Sequence, residues 1–247
     1  MRASIFFHSY YSESDVWLNF FSENFNNVNI FYSITTDSYY YFNPKTKGRL
    51  ALEHVSLQER NSLIVRSVTN RGKDVGGKLV LLDAYLRLGI KSDFLLFLHD
   101  KRSPYHTRGE IWQEQLLEIA LRKHQPSIYA MFNRDPKLGI VSAKGTLHNE
   151  TDNEQRSNAY INSDFIQELK SRYRINPPDL MYVAGTMFWV RASIFEDFFS
   201  IYPPLEIRST LEDGNITDVK GPTYTHAWER LLCWLVSSRG YHIKTLT

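Results

Sequence analysis

The chain has 247 residues, of which 43% are hydrophobic and 23% are charged. This length suits one α/β domain, and the composition supplies a sizeable core. The net charge of +2 gives no electrostatic argument for a nucleic-acid partner. The single cysteine, Cys233, excludes an internal disulfide framework and a cysteine-based zinc site. It lies in an apolar run, so we expect a buried structural thiol.

Short apolar runs alternate with helical patterns along the chain, an order typical of a mostly parallel sheet. The predicted strands span residues 4–8, 28–34, 63–68, 94–98, 138–142, 182–190 and 241–246. The predicted helices span residues 13–24, 77–88, 110–123, 163–173, 192–199 and 225–239. Residues 35–48 and 202–222 are rich in turn-forming residues and predict long loops. We therefore predict an α/β fold with a mostly parallel central sheet flanked by helices.

Membrane and targeting signals are not evident in the sequence. No apolar run reaches the roughly 18–20 residues of a membrane span, and the amino terminus lacks the long apolar region of a signal peptide. We expect a cytoplasmic protein without a membrane span, at most peripheral to the inner face of the membrane.

Polar residues follow four of the predicted strands. Because ligands of open α/β sheets lie beyond the carboxyl ends of the strands, these residues are candidates for a nucleotide pocket. The candidates at these four strand ends are His8, Thr36, Asn70 and His99. Polar strand ends occur in any α/β domain, so this pattern predicts a site and not its ligand.

The segment 70–77 contains three glycines and precedes a predicted helix. Gly72 permits a tight or left-handed turn, and the backbone amides at the helix start can face an anion. Arg71 adds positive charge beside that turn. Asp74 either accepts hydrogen bonds from a base or ribose or caps the helix, and an ordinary strand-to-helix turn remains the alternative.

The segment His99-Asp100-Lys101 follows the predicted fourth strand. The residues that flank Asp100 are not carboxylates, so we do not expect a divalent metal held by carboxylates. Lys101, with Arg102 beside it, is instead expected to supply positive charge to a diphosphate. A surface turn with solvated charges is the alternative.

Two further features lie in the carboxy-terminal half. Gly185 interrupts the predicted strand 182–190, which marks either the close approach of a ligand or a bulge. His226 and Glu229 share one face of the last predicted helix. The helix dipole disfavours protonated His226 in the first turn, and Glu229 either orients that imidazole or is itself the base. The alternative is a helix-start histidine beside a structural Glu229–Arg230 pair.

Five motifs resemble the rhamnan synthesis F family in order and spacing. They are residues 70–76, 99–104, 133–141, 184–191 and 226–230, and the opening segments 6–11 and 30–33 continue the match. The resemblance spans nearly the whole chain. The family is implicated in building rhamnose-containing and other bacterial surface polysaccharides, including lipopolysaccharide chains.

This resemblance implies a GT-A-like, Rossmann-like glycosyltransferase that moves a sugar, with rhamnose as the family's suggestion. The donor is a nucleotide sugar and the acceptor a growing glycan or lipid-linked glycan. In the more distant likeness to inverting GT-A transferases, His99-Asp100-Lys101 stands where two carboxylates hold a metal, which implies metal-independent transfer. Gly185 and Thr186 belong to the acceptor side, and His226 falls near the position of the catalytic carboxylate.

The resemblance implies one domain whose residues 1–142 bind the donor and whose residues 143–247 bind the acceptor. The base stays open between His226, Glu229 and Asp213. The rival hypothesis is a non-catalytic module that binds a nucleotide sugar or glycan beside other domains of a larger polysaccharide-synthesis protein. A nucleotidyltransferase is less favoured, because residues 1–20 contain no glycine.

Overall fold

A computed structural model describes residues 1–11, 14–36, 61–100, 109–153, 163–216 and 221–246. The strands of its central sheet are β1 (Ala3–Ser9), β2 (Val28–Thr35), β3 (Ser62–Val68), β4 (Phe94–His99), β5 (Leu138–Ser142), β8 (Phe188–Arg191) and β9 (His242–Thr245). A second, two-stranded sheet pairs β6 (Leu147–Asn149) with β7 (Met181–Val183). These labels follow chain order.

The central sheet has seven strands in the order β3-β2-β1-β4-β8-β5-β9. Every neighbouring pair is parallel except those of β8, which runs antiparallel to both β4 and β5. The prediction of an α/β fold with a mostly parallel sheet is therefore confirmed.

Helices cover both faces of this sheet. They are α1 (Ser14–Asn24), α2 (Lys73–Arg87), α3 (Gly109–Leu117), α4 (Gln125–Arg134), α5 (Ser163–Tyr173), α6 (Ala192–Ile201), α7 (Pro204–Ser209) and α8 (Tyr224–Ser237). Short 3-10 turns occur at Glu118–Ala120, Arg122–His124 and Glu150–Asn153. In the described part of the chain, no helix has the length and apolar character needed to cross a membrane.

Two hydrophobic clusters fill the space between the sheet and the helices. Phe6 of β1 packs with residues of α2, α6 and α8 on one face, and its neighbour Phe7 packs with residues of α1 and α4 on the other. Because both faces are covered, β1 and β4 are buried along their whole length. Cys233 is fully buried in the first cluster, as predicted.

The prediction of one continuous strand over residues 182–190 was wrong. The chain forms β7, turns at Gly185 and Thr186, and then enters β8 in the other sheet. Both turn residues have left-handed backbone, with φ of 85° and 50°. Glycine adopts this conformation readily, whereas threonine does so rarely, so the sequence gives little sign that Thr186 belongs to a turn.

Helix α2 begins at Lys73, four residues before its predicted start at Gly77. The left-handed turn expected here is confirmed, with φ of 73° at Gly72, which is also the residue that caps the helix. No side chain caps α2, so the structure excludes the alternative in which Asp74 caps this helix. Gly76 and Gly77 lie inside the helix, where close neighbours leave no room for a Cβ atom.

Two helices that begin at or beside a proline were missing from the predictions. The predicted loop 202–222 contains the short helix α7, and α4 was not predicted at all. Each helix has a proline in its first turn, where the missing amide hydrogen costs nothing. The predicted helix 110–123 is α-helical only as far as Leu117. Most of the predicted loop 35–48 lies outside the described residues.

Candidate functional site

The candidate site lies at the carboxyl edge of the central sheet, around the ends of β1 and β4. The strands β2 and β3 extend the sheet to one side of β1, and β8, β5 and β9 extend it to the other side of β4. Ligands of open α/β sheets bind at this kind of switch point. The antiparallel strand β8 starts at the same edge, because Phe188 pairs with both Phe97 and Ser142.

Asp100 joins the ends of β1 and β4. Its carboxylate is 1% exposed and accepts hydrogen bonds from the Ser9 hydroxyl at 3.0 Å, the Tyr10 amide at 2.8 Å and the Tyr11 amide at 2.7 Å. These donors tie the carboxylate to the backbone that follows β1. Among the described residues, no group of three histidine, cysteine or acidic side chains is arranged to hold a metal ion. Lys101 lies outside the described residues, so its contact with a diphosphate stays a prediction.

A buried polar cluster lies behind this strand end; we call Asp74, Lys78, His99 and Thr186 the Lys78 cluster. The Lys78 ammonium donates to Asp74 Oδ2 at 2.9 Å, to the Thr186 carbonyl at 2.8 Å and to Thr186 Oγ1 at 2.7 Å. His99 Nδ1 lies 3.1 Å from the same nitrogen. The Thr186 hydroxyl in turn donates to Asp74 Oδ2. The cluster thus joins α2, β4 and the turn before β8.

Asp74 is the part of this cluster that solvent reaches. Burial by itself raises the pKa of this carboxyl, but the charges of Lys78 and His99 and the hydrogen bond from Thr186 outweigh burial and hold the pKa well below its usual value. The side chain is 24% exposed. Within the described residues, its hydrogen bonds and ion pairs are made through Oδ2. Oδ1 is therefore the oxygen that can accept hydrogen bonds from a ligand.

His8 lies one residue before the end of β1, beneath α2. Its ring is buried, with Nδ1 2.9 Å from Ser33 Oγ and Nε2 3.3 Å from Thr35 Oγ1. Burial lowers the pKa of His8 to about 4, so the ring is neutral at neutral pH. Thr36 extends the pairing of β2 with β3, because its amide and hydroxyl both donate to the Val68 carbonyl.

The turn at residues 70–72 is held by a segment from the other end of the chain, residues 211–215. Arg71 donates to the Leu211 carbonyl at 2.7 Å and forms an ion pair with Asp213. The Asn70 side-chain amide donates to Asn215 Oδ1 at 3.1 Å. The Asp213 side chain is 65% exposed, and its carboxylate is paired with the Arg71 guanidinium.

The start of α8 is fixed by Glu212 and Thr223. The Glu212 carboxylate accepts hydrogen bonds from the Tyr224 amide and from the amide and hydroxyl of Thr225. Burial raises the pKa of Glu212, and these hydrogen bonds outweigh burial and lower it overall. Thr223 caps the helix by accepting from the His226 amide at 3.2 Å, and its hydroxyl also contacts His226 Nδ1. His226 is half-buried at this helix start.

Glu229 binds the turn before β8. Its carboxylate accepts from the Gly185 amide at 2.8 Å and pairs with Arg230 at 3.1 Å. Arg230 continues to Glu150 at 3.0 Å. The Glu229–Arg230 pair is therefore present. In the described part of the chain, the Glu229 carboxylate contacts Gly185 and Arg230 and not the His226 ring.

The structure thus brings most of the predicted site residues to one edge of the sheet. His99, Asp74 and Thr186 share the Lys78 cluster, and Gly185 links that cluster to Glu229 on α8. Asn70, Arg71 and Gly72 form a neighbouring group with Asp213. The predictions omitted Lys78 and Glu212. The four-residue spacing of Asp74 and Lys78 is a helical ion-pair signal that could have found the lysine, whereas no sequence pattern connects Glu212 with α8.

The family model for rhamnan synthesis protein F matches residues 1–241, nearly the whole chain. No curated protein gives a significant match to the sequence. The match to residues 1–241 includes all five motifs on which the resemblance rests and every predicted site residue. The chain belongs to the rhamnan synthesis protein F family.

Proposed function

We propose that this chain is a glycosyltransferase that moves a sugar from a nucleotide-sugar donor to a growing bacterial surface polysaccharide. Membership of the rhamnan synthesis family supports the polysaccharide product. The observation that carries the proposal is the Lys78 cluster, which lies at the switch point of the sheet and reaches the turn at Gly185. One edge thereby offers groups suited to a donor and, beside them, groups suited to an acceptor.

On the donor side, the Asp74 carboxylate accepts hydrogen bonds from the nucleoside through Oδ1. The turn at residues 70–72 approaches the phosphates with its backbone, and Arg71 contributes positive charge beside it. His8, Thr36 and His99 shape the floor of the same pocket. Lys101 stabilises the leaving diphosphate by its charge, so transfer proceeds without a divalent metal.

On the acceptor side, Gly185 and Thr186 present backbone to the incoming glycan. We favour His226 as the base, because its ring lies in the first turn of α8 with Nδ1 held beside the Thr223 hydroxyl, whereas the Glu229 and Asp213 carboxylates are each paired with an arginine. The Thr223 hydroxyl can accept from a protonated Nδ1, which leaves Nε2 as the acceptor of a proton. In one displacement the acceptor hydroxyl oxygen bonds to the anomeric carbon, the bond from that carbon to phosphate breaks, and the hydroxyl proton moves to Nε2. Such a displacement inverts the anomeric centre.

Incubation with a panel of nucleotide sugars and a glycan acceptor tests this function by release of the nucleoside diphosphate. We expect release with at least one donor, and we expect it to persist in EDTA. Loss of release in EDTA with recovery in manganese would contradict the metal-independent step. Nucleotide-sugar binding with no release from any donor would instead support a non-catalytic binding module.

The role of His226 is tested by His226→Ala. Removing a general base lowers turnover by about 10²–10⁴-fold, while donor affinity should stay within about twofold because the ring does not contact the nucleotide. His124→Ala, on the connection between α3 and α4, is the matched control and should keep full turnover. Unchanged turnover in His226→Ala, together with loss of turnover in Glu229→Gln, would transfer the role to Glu229.

A further inference from the structure

Lys78 is a buried lysine whose ammonium group has a hydrogen-bond acceptor for each of its three hydrogens. Its side chain is 3% exposed. A buried ammonium is tolerated only when its charge and hydrogen bonds are satisfied. Here one carboxylate oxygen, one carbonyl and one hydroxyl lie within 2.9 Å of Nζ. A hydrophobic residue would fill the same space on α2 without this cost, so the charge itself needs an explanation.

We infer that Lys78 is a positioning residue that holds the Asp74 carboxylate as a hydrogen-bond acceptor for the hydroxyl or N–H groups of a nucleoside, an inference that rests on the function proposed above. Lys78 lies one helical turn after Asp74 and engages Oδ2. The hydroxyl of Thr186, which itself accepts from Lys78 Nζ at 2.7 Å, donates to the same oxygen. Two donors on one oxygen restrict the rotation of the carboxylate, and Oδ1 is left to accept hydrogen bonds from a ligand.

The same ammonium fixes the acceptor-side turn. Thr186 has a φ of 50°, a conformation that a β-branched residue adopts only when its surroundings hold it there. Lys78 supplies two hydrogen bonds to this residue, one to its carbonyl and one to its hydroxyl. Gly185, the preceding residue, donates to Glu229. A change at Lys78 should therefore affect both donor binding and the turn at Gly185 and Thr186.

Charged and titratable groups from three other elements face this pair. Among the described residues, His99 of β4 lies 3.4 Å from Asp74 Oδ2, His8 of β1 interacts with both charges, and Arg208 of α7 interacts with His8. Burial lowers the pKa of His8 to about 4, and Arg208 stays charged, so neither changes state between pH 5 and 8. A pH dependence of binding that appears in this range on loss of Lys78 would therefore report on Asp74 or on His99, and Asp74→Asn separates the two.

The experiment measures nucleotide affinity by calorimetry from pH 5 to 8 for the wild type, Lys78→Met and Asp74→Asn. The probes are UDP, dTDP and GDP, and 2′-deoxy-UDP separates a ribose contact from a base contact. The terminal phosphate of each probe titrates at about pH 6 whatever the variant, so the pH effect is read as the ratio of variant affinity to wild-type affinity. In the wild type Asp74 stays ionised throughout. Lys78→Met should weaken binding about tenfold or more at pH 7, since the charge-assisted hydrogen bonds between Asp74 and the nucleoside lose their fixed geometry.

The sign of the pH effect in Lys78→Met follows from burial. Without the ammonium, burial raises the pKa of Asp74, so the carboxyl takes up a proton as the pH falls and its affinity for donor groups decreases. Asp74→Asn should bind the nucleotide more weakly than the wild type at every pH. Adding Lys78→Met to that variant should weaken binding little further. Lys91→Met, which removes a surface partner of Glu196, is the matched control and should bind like the wild type.

Wild-type binding together with unchanged affinity in Lys78→Met, and a pH profile that follows that of the wild type, would overturn the inference and leave the proposed function intact. No nucleotide binding by the wild type would overturn the proposed function and this inference with it. Should Lys78→Met fail to fold, the wild type still decides: the carboxyl ¹³C signal of Asp74 should remain that of an ionised group down to pH 4 and move when nucleotide is added. A signal that titrates in the ordinary range, or that ignores the nucleotide, would contradict the inference.

Discussion

Gly77 and His8 show how closely single residues fit behind the candidate site. A Cβ atom built on Gly77 would lie 2.0 Å from His8 Nδ1. The ring cannot turn away, because it is buried and both of its nitrogens lie near hydroxyl groups of β2. The glycine is therefore kept inside a helix, where it is otherwise unfavourable, so that α2 can lie directly on β1.

Gly77→Ala should for this reason destabilise the protein by about 1–3 kcal/mol, the usual cost of overpacking, although alanine is worth roughly 1 kcal/mol more than glycine in a free helix. The measurement is chemical denaturation. In a His8→Ala background the same substitution should cost less by roughly 0.5–3 kcal/mol, because the clashing ring is absent. Equal costs in the two backgrounds would show that the contact between α2 and His8 is not the reason for this glycine.

At the scale of elements, α8 depends on a side chain that lies outside it. Glu212 accepts three hydrogen bonds from the first residues of the helix. Its own carbonyl accepts from the Gly72 amide at 2.8 Å. Glu212 thus connects the turn at residues 70–72 to the helix that carries His226.

Glu212→Ala should lower the free energy of unfolding by about 1–2 kcal/mol, the range for loss of a helix cap that also accepts as a charged group. The measurement is urea denaturation, with Glu114→Ala on the exposed side of α3 as the control. We also expect faster amide hydrogen exchange at Tyr224 and Thr225 than in the wild type. A stability loss with unchanged exchange at these two amides would contradict the capping role.

The strands at the candidate site could be predicted because they are buried on both faces. β1, β2 and β4 are rich in apolar and aromatic residues, and each predicted bound lies within one residue of the observed one. The break between β7 and β8 could not be predicted, since nothing in the sequence marks Thr186 for left-handed backbone. The polar strand ends were visible in the sequence. The partners of those residues were not, because they come from distant positions, as Lys78 and Thr186 do.

For the whole molecule, the antiparallel strand β8 determines how the two halves of the chain combine. It lies between β4 and β5, so the sheet of the first 142 residues is incomplete without a strand from the second half. Arg191, at the end of β8, also donates to the carbonyls of Phe132 and Leu138. The donor-binding and acceptor-binding halves named from the sequence therefore share one sheet.

We accordingly expect a single cooperative unfolding transition. Trp17 and Trp189 belong to one core cluster, and Trp228 and Trp234 belong to the other, so tryptophan fluorescence reports on both faces of the sheet. Its midpoint should coincide with that of far-UV circular dichroism, and it should still do so in a Trp228→Phe/Trp234→Phe variant that reports mainly on one face. Separate midpoints for the two probes would indicate two independently folding units.

The position of β8 also has a consequence for folding during synthesis. The ribosome releases β4 and β5 before it has made the strand that lies between them, and at about 5–20 residues per second the interval lasts seconds. During that interval β4 and β5 each have an unpaired edge that can associate with other chains. The sheet reaches its final order only through contacts between residues far apart in the chain, a topology that folds slowly. The nascent chain of this protein should therefore be a substrate for chaperones until Arg191 has left the exit tunnel.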